Sequence, residues 1–397
     1  MTAEATLGET QIATRTRWFD RAAFAPWKTA LMLVAVSRGA FFIAAYSATQ
    51  FLTAAQGPDA PEGFLDIWVR WDARHFEVVA EHGWQGPEAE SARAAAFFPF
   101  YPLAMRALAG IGLDLTLAAL IVSAAATVVA CAYLIKLADA ELGEGAGRRA
   151  ALYLLLFPTA VFLIAPYSEA LFLAGAIAAF YYARRGRWLA ASIPAAVAVG
   201  TRAAGMFLLA GLAVELALQI WRRRKDDPAA LALQGVMALA IAALPLVGYG
   251  LYLESTNGTF TQYLIDQREG WGRDFPVSPI GAFQATWNTR VGGYESNWIF
   301  AWRIEILAAL AGVLLTGWAA LKREWAYATY IGCLMVALLM SSWYFSIPRM
   351  LLSCFPAVIF LSEITRGHPR RHETALLIMA PVAVMGVVVF TRGAWFF

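Results

Sequence analysis

The chain has 397 residues, of which 60% are hydrophobic and only 15% charged, with a formal net charge of +3 at pH 7. That mixture lies far from a soluble globular domain and points to lipid as the solvent for most of the chain. Nucleic-acid binding finds no support, and Cys131, Cys333 and Cys354 all sit in apolar stretches without metal-type or disulfide-type spacing, which gives them packing roles.

In chain order, residues 1–20 lack the short apolar core and small-residue cleavage site of a signal peptide. The first apolar segment is therefore expected to stay as a helix behind a cytoplasmic segment, 1–27. Apolar runs follow at 28–52, 113–138, 150–165, 170–183 and 188–200, then at 203–221, 229–253, 298–321, 325–343, 350–364 and 374–390. About 20 mostly apolar residues cross ~30 Å of hydrocarbon, so these runs make about 11 candidate transmembrane helices. Several middle runs hold only about 14 to 16 residues, which predicts tilted or half-depth helices and irregular hairpins packed within protein. Residues 97–111, with Pro99 and Pro102, read either as a span or as an outer-face or re-entrant helix, and the second keeps Arg148 and Arg149 inside. No soluble domain, internal repeat or low-complexity run interrupts the pattern, so 1–397 is expected to form a single membrane-embedded domain.

Basic residues are retained on the cytoplasmic side of a membrane. Arg15, Arg17, Arg21 and Lys28 precede the first run; Arg148 and Arg149, then Arg184, Arg185 and Arg187, then residues 222–225 fall at alternate later boundaries. Lys322, Arg323, Arg366, Arg370 and Arg371 continue the alternation. The loops 53–95 and 255–297 are thereby predicted outside, with the turns near Tyr167, Arg202 and Pro348. The first outer loop carries Asp59, Glu62, Asp66, Asp72, Glu77, Glu81, Glu88 and Glu90 against Arg70, Arg74 and Arg93. Its interleaved Trp and Phe suit helices lying in the interface plane.

The outer segments also hold the residues fit for chemistry. In Trp71-Asp72-Ala73-Arg74-His75-Phe76, an acid flanked by aromatics at an interface is desolvated, which raises its pKa and suits it to act as a general base toward a sugar hydroxyl. The same spacing equally allows Asp72 to pair with Arg74 or to cap a helix. Phe97-Phe98-Pro99-Phe100-Tyr101-Pro102 makes a bent aromatic segment or an interface anchor. Glu169, in Pro166-Tyr167-Ser168-Glu169, is either a functional charge or the partner of Arg202. Arg202 and Arg349 oppose the positive-inside trend and need an anion, a lipid phosphate or a buried carboxylate. Gln267-Arg268-Glu269-Gly270-Trp271-Gly272-Arg273 can stack on a sugar or simply decorate a surface loop, and Arg38, inside the first run, calls for an internal ion pair. A membrane transporter or lipid flippase would explain the helices and buried charges equally well, but it calls for symmetry between halves, of which the sequence shows none.

Taken in order, these motifs resemble a known family. Trp71-Asp72, Phe98-Pro99-Phe100-Tyr101-Pro102, Phe157-Pro158 with Tyr167-Ser168-Glu169, and Thr201-Arg202 with Gly205 look like the bacterial relatives of GPI mannosyltransferase II, the PIG-V type. Gln267 with Trp271 and Arg273, and Ser346-Ile347-Pro348-Arg349 before Phe355-Pro356, agree with it. The resemblance runs from Arg38 to Phe360, and Met350 departs from it where an aromatic is expected. It implies an all-α polytopic membrane protein of the type-C glycosyltransferase (GT-C) fold, with interfacial helices in the first outer loop and no cofactor or metal. It further implies inverting transfer of a sugar, mannose in this family, from a polyprenyl-phosphate-linked donor to a lipid or glycan acceptor. The reaction would take place among membrane lipids at the extracytoplasmic face of the plasma membrane. Asp72 would be the general base, and Arg202, Arg349 and Arg273 would bind the donor phosphate. Trp71, His75, Tyr101, Glu169, Gln267 and Trp271 would contact substrate.

Overall fold

The computed structural model describes residues 21–52, 63–223, 228–288 and 299–396, and among these every regular element is helical. Residues 1–20 of the expected cytoplasmic segment, 53–62 and 289–297 of the two expected outer loops, and Trp298 at the start of the run after them lie outside the described residues. The first long helix is α1 (Arg21–Phe51), and the segment after it folds into α2 (Asp72–His82), α3 (Pro87–Ser91) and α4 (Phe100–Ala109). Next come α5 (Leu115–Leu142), α6 (Ala146–Leu155), α7 (Glu169–Arg184), α8 (Trp188–Thr201), α9 (Ala204–Arg222) and α10 (Ala229–Asn257). The second loop segment carries α11 (Gln262–Trp271) and α12 (Pro279–Trp287). The order ends with α13 (Ile299–Leu321), α14 (Trp325–Leu339), α15 (Ile347–Ser353), α16 (Pro356–Ile364) and α17 (Pro369–Thr391).

Each of the eleven apolar runs contributes helix, but they are not equivalent spans. Among the described residues six helices are long and apolar enough to cross a membrane, in α1, α5, α9, α10, α13 and α17, which makes this a multi-pass membrane protein. α15 and α16 together pass the same test as one span bent by 78°, at a break where Pro356 opens the second piece without an N–H to continue the first. α8 and α14 are shorter apolar helices, and α7, sixteen residues long, is buried along most of its length inside the bundle. α4, at ten residues, is roughly 15 Å long, half the depth of a hydrocarbon core.

The short middle runs do form an irregular hairpin. Between α6 and α7 the chain makes only a 3-10 turn at Ala160–Leu163, and its carbonyls are met by side chains from neighbouring helices. Arg38 Nη2 donates to Leu163 O at 2.6 Å, Thr127 Oγ1 to the same oxygen at 3.1 Å, and Ser123 Oγ to Ala165 O at 3.1 Å. Irregular backbone at membrane depth survives only with such partners. Arg38 thus meets a backbone carbonyl here, where the sequence called for an ion pair.

α7 sets the axis of the bundle, about 24 Å from Glu169 to Arg184. At its far end Arg184 pairs with Glu141 and Glu324 at 3.1 and 2.7 Å, tying α5, α7 and the start of α14. Lys322 joins Glu363 at the same end. The basic helix ends therefore gather opposite the end that carries the two loop segments. Between the ends, small residues let backbones approach: a Cβ on Gly175 of α7 would lie 2.5 Å from Pro194 O and 2.8 Å from Ala198 N of α8. Gly175→Ala should accordingly lower thermal stability in detergent by about 1 to 3 kcal/mol. Gly317→Ala, where nothing lies within 4 Å, should leave it unchanged or raise it by up to about 1 kcal/mol; equal effects from the two would contradict this packing.

Candidate active site

Four charged side chains from distant parts of the chain meet at the loop-bearing end. Glu169, the first residue of α7, is fully buried, and its Oε1 is paired with both Arg202 Nη1 and Arg349 Nε. Arg349 turns its Nη1 to Asp72 Oδ2 at 2.5 Å, so the charges run Arg202, Glu169, Arg349, Asp72. The Arg349 guanidinium lies over the rings of Tyr167 and Phe162, 4.5 and 4.9 Å from their centroids.

Local backbone delivers each of them. Glu169 opens α7, where the helix end favours an acid. Arg202 ends α8 in an extended conformation, which turns it out of the helical path, and also donates to Ser168 Oγ at 3.2 Å. Its Nη2 meets Met350 Sδ at 3.4 Å, so the position that departs from the family pattern offers this arginine a weak thioether acceptor. Asp72 starts α2 and Arg349 lies in the first turn of α15. Trp71 and Ser346, at φ 53° and 60°, stand just ahead of these two helices and are two of the four described non-glycine residues with positive φ. Such backbone costs about 1 to 3 kcal/mol and persists where the surroundings hold it. Tyr167 OH, donating to Arg70 O at 2.9 Å, holds the first; Glu305, accepting from Ser346 N–H and Ile347 N–H at 2.7 Å each, holds the second.

Burial pushes the Asp72 carboxyl up, but the Arg349 charge and hydrogen bond, helped by His75 and Arg202, outweigh it and leave the group below the usual carboxylate range. The sequence pointed to the opposite direction. A guanidinium that arrives from the far end of the chain makes the difference.

Asp72, Ser168, Arg202, Arg273 and Arg349 line a cavity of about 370 Å³. Gln267 and Trp271, with Phe97 and Tyr263, share its lining, as do the apolar Met206, Phe207, Leu264, Leu334 and Leu338. Arg273 also donates to Phe345 O at 2.9 Å. Of the residues singled out from the sequence, Trp71, His75, Tyr101 and Glu169 are not on the lining. His75 Nδ1 bonds with Ala92 O at 2.7 Å and stacks on Phe97, and the Tyr101 hydroxyl is buried against Ser123 Oγ at 3.1 Å. Trp71 is about 43% exposed. Glu169 stands behind the wall and holds its arginines. Tyr263 and Glu305 escaped the sequence reading, although a lone acid inside the apolar run 298–321 was a signal for the second.

A family profile described as Mannosyltransferase (PIG-V) matches residues 54–246, the stretch that contains Asp72, Glu169 and Arg202. The match covers just under half of the chain, which over that stretch is similar to the PIG-V mannosyltransferases. Relatives named GPI alpha-1,6-mannosyltransferase 2 match a similar share: the mouse protein is 37% identical over 161 residues, 37% of this chain and 31% of its own length. The Chinese hamster protein is 34% identical over 175 residues, 41% of this chain and 34% of its own, and the human protein 34% over 168, covering 37% and 33%. The match thus spans about a third of these relatives' length. A solved structure, the oligosaccharyltransferase of Archaeoglobus fulgidus, aligns over 95% of this chain and 56% of its own at TM-score 0.45 and 14% identity, too slight a likeness to carry weight.

Beside the charged site, burial pushes Glu77 up to about 7, although Thr116 Oγ1 donates to its Oε1 at 2.9 Å and opposes the shift. The folded form therefore holds the proton more tightly than the unfolded chain, whose glutamate titrates near ~4.3, and stability contributed by protonated Glu77 is lost as pH rises through about 7. Glu77→Gln should raise the melting temperature at pH 8 more than at pH 5, and an equal change at both would count against this titration.

Proposed function

We propose that this chain is a membrane glycosyltransferase that moves a sugar, mannose in keeping with its family, from a polyprenyl-phosphate donor to a hydroxyl of a lipid or glycan acceptor. The observation that carries the reading is one cavity whose lining holds a carboxylate, Asp72, three guanidiniums and a set of apolar side chains. A sugar phosphate on a long hydrocarbon tail needs those three surfaces: cations for the phosphate, aromatic faces and amides for the sugar, and apolar walls for the tail. The site lies at the end of the bundle opposite the basic helix ends, which supports an extracytoplasmic active site in the plasma membrane. The family's type-C glycosyltransferase architecture suits this arrangement.

In the transfer, the acceptor oxygen attacks the anomeric carbon as its proton passes to Asp72, the bond from that carbon to the phosphate oxygen breaks, and the lipid phosphate leaves with the electron pair, inverting the centre. Phosphate is already a weak base, so it needs charge stabilisation rather than a proton, the role assigned to Arg202 and Arg349 with Arg273 beside them. Arg349 touches Asp72 from one side of the cavity, and a phosphate that engages its Nη1 draws the guanidinium from the carboxylate just when Asp72 must accept a proton.

Purified protein given labelled polyprenyl-phosphate mannose and candidate acceptors tests the reading directly. Asp72→Asn should reduce transfer by at least about 100-fold with donor affinity little changed, whereas Asp66→Asn and Glu77→Gln, off the cavity wall, should lose little. Near-normal turnover by folded Asp72→Asn would remove it as the base.

Arg202→Gln is the sharper probe of the phosphate, because Glu169 keeps its pair with Arg349. A lost charge-assisted bond of about 1.5 to 3 kcal/mol should raise the donor KM roughly 10- to 150-fold. If Glu169→Gln and Arg202→Gln destabilise the fold equally and the folded fraction binds donor as before, the pair is structural.

A further inference from the structure

The extended stretch between α14 and α15 has its backbone amides taken up in turn. Ser342 N–H donates to Asp274 O at 3.1 Å, Tyr344 N–H to Thr286 Oγ1 at 2.8 Å, Ser346 N–H to Glu305 Oε1 and Ile347 N–H to Glu305 Oε2, the last two at 2.7 Å. Glu305 lies within α13 and is fully buried. The peptide unit that joins Phe345 to Ser346 is held from both sides: its carbonyl accepts from Arg273 Nη2 at 2.9 Å, and its N–H donates to Glu305. A peptide dipole between a cation and an anion cannot rotate without losing a charge-assisted bond at each end. Ser346 accordingly keeps its left-handed φ of 60°, and the turn it makes aims the first turn of α15, where Arg349 resides. Trp395 stacks on Phe345 at 5.3 Å and Trp302 lies 6.2 Å from it on the same segment, which leaves the clamped peptide little room to relax.

We infer that Glu305 is a positioning residue: through the peptide between Phe345 and Ser346 it sets the guanidinium of Arg349 between Glu169 and the cavity. The activity side of this inference rests on the glycosyltransferase reading. A carboxylate suits the task where an amide does not, because two N–H donors each take one oxygen, and a glutamine would turn its own NH₂ toward one of them. Arg349 lies within one helical turn of those two amides, so a released turn carries it away from Asp72.

The test combines backbone amide exchange with a double-mutant cycle. In Glu305→Gln the amides of Ser346 and Ile347 should exchange faster than in the wild type while the basic end of α7 keeps its protection. Transfer from the lipid-linked donor should fall about 100-fold in kcat/KM, the scale of a displacement near 1 Å. On an Arg349→Gln background, or Arg349→Lys should that chain not fold, Glu305→Gln should cost almost nothing more, because its effect passes through Arg349. Unchanged exchange, normal transfer by Glu305→Gln, or losses that multiply in the double variant would each overturn the inference. A wild-type chain that transfers no sugar would instead sink the glycosyltransferase reading, and the exchange measurement would still decide whether Glu305 holds the turn.

Discussion

Glu169 has no exposure to solvent, and a bare carboxylate there would cost several kcal/mol in desolvation. Two guanidiniums converge on its Oε1 and offset that cost, and because Arg202 ends α8 while Arg349 belongs to α15, neutralising one acid fixes three parts of the chain against each other. Among the described residues Asp72 enters the arrangement through its ion pair with Arg349. The two acids on Arg349 are therefore unequal. Glu169 is sealed behind the wall, whereas Asp72 keeps a quarter of its side chain accessible, so an anion entering the cavity competes with Asp72 for the guanidinium.

The opposite end of α7 repeats the principle with the signs exchanged. There one cation, Arg184, sits between Glu141 and Glu324, with Tyr327 OH donating to Glu141 at 2.8 Å and its ring 4.2 Å beneath the guanidinium. Charges thus close the bundle at both ends, and the stretch between is packed by glycines and alanines that admit backbone against backbone. A rigid frame of this kind suits a site that must hold charged groups within a few tenths of an ångström.

Hydropathy alone located the helices, because every apolar run of sufficient length must close its backbone hydrogen bonds internally in lipid. The shortness of the runs that became α7 and α8 already set them apart from full spans, and α7 is indeed packed within protein along most of its length. Asp72, Glu169, Arg202 and Arg349 stood out as charges in apolar or aromatic settings. The pairing of Glu169 with Arg202 was one of the two readings the sequence offered for that acid, but the contact of Asp72 with Arg349 was not legible, since the two are 277 residues apart and nothing local encodes that meeting. The same distant contact reversed the expected direction of the Asp72 titration. His75 and Tyr101 belong to the right motifs yet point behind the wall, because neighbours on one short helix face different ways. Glu305 was passed over inside an apolar run that counted only as a span.

The chain distance between Glu169 and its two partners also bears on biogenesis. Glu169 and Arg202 enter the bilayer within one helical hairpin, α7 and α8, so the acid carries its counterion from the first moment it leaves water. Arg349 is synthesised 180 residues after Glu169 and docks onto a hairpin that is already neutral. Insertion and site assembly are therefore separate events, and a nascent chain can be stably integrated well before it possesses a complete charged cluster.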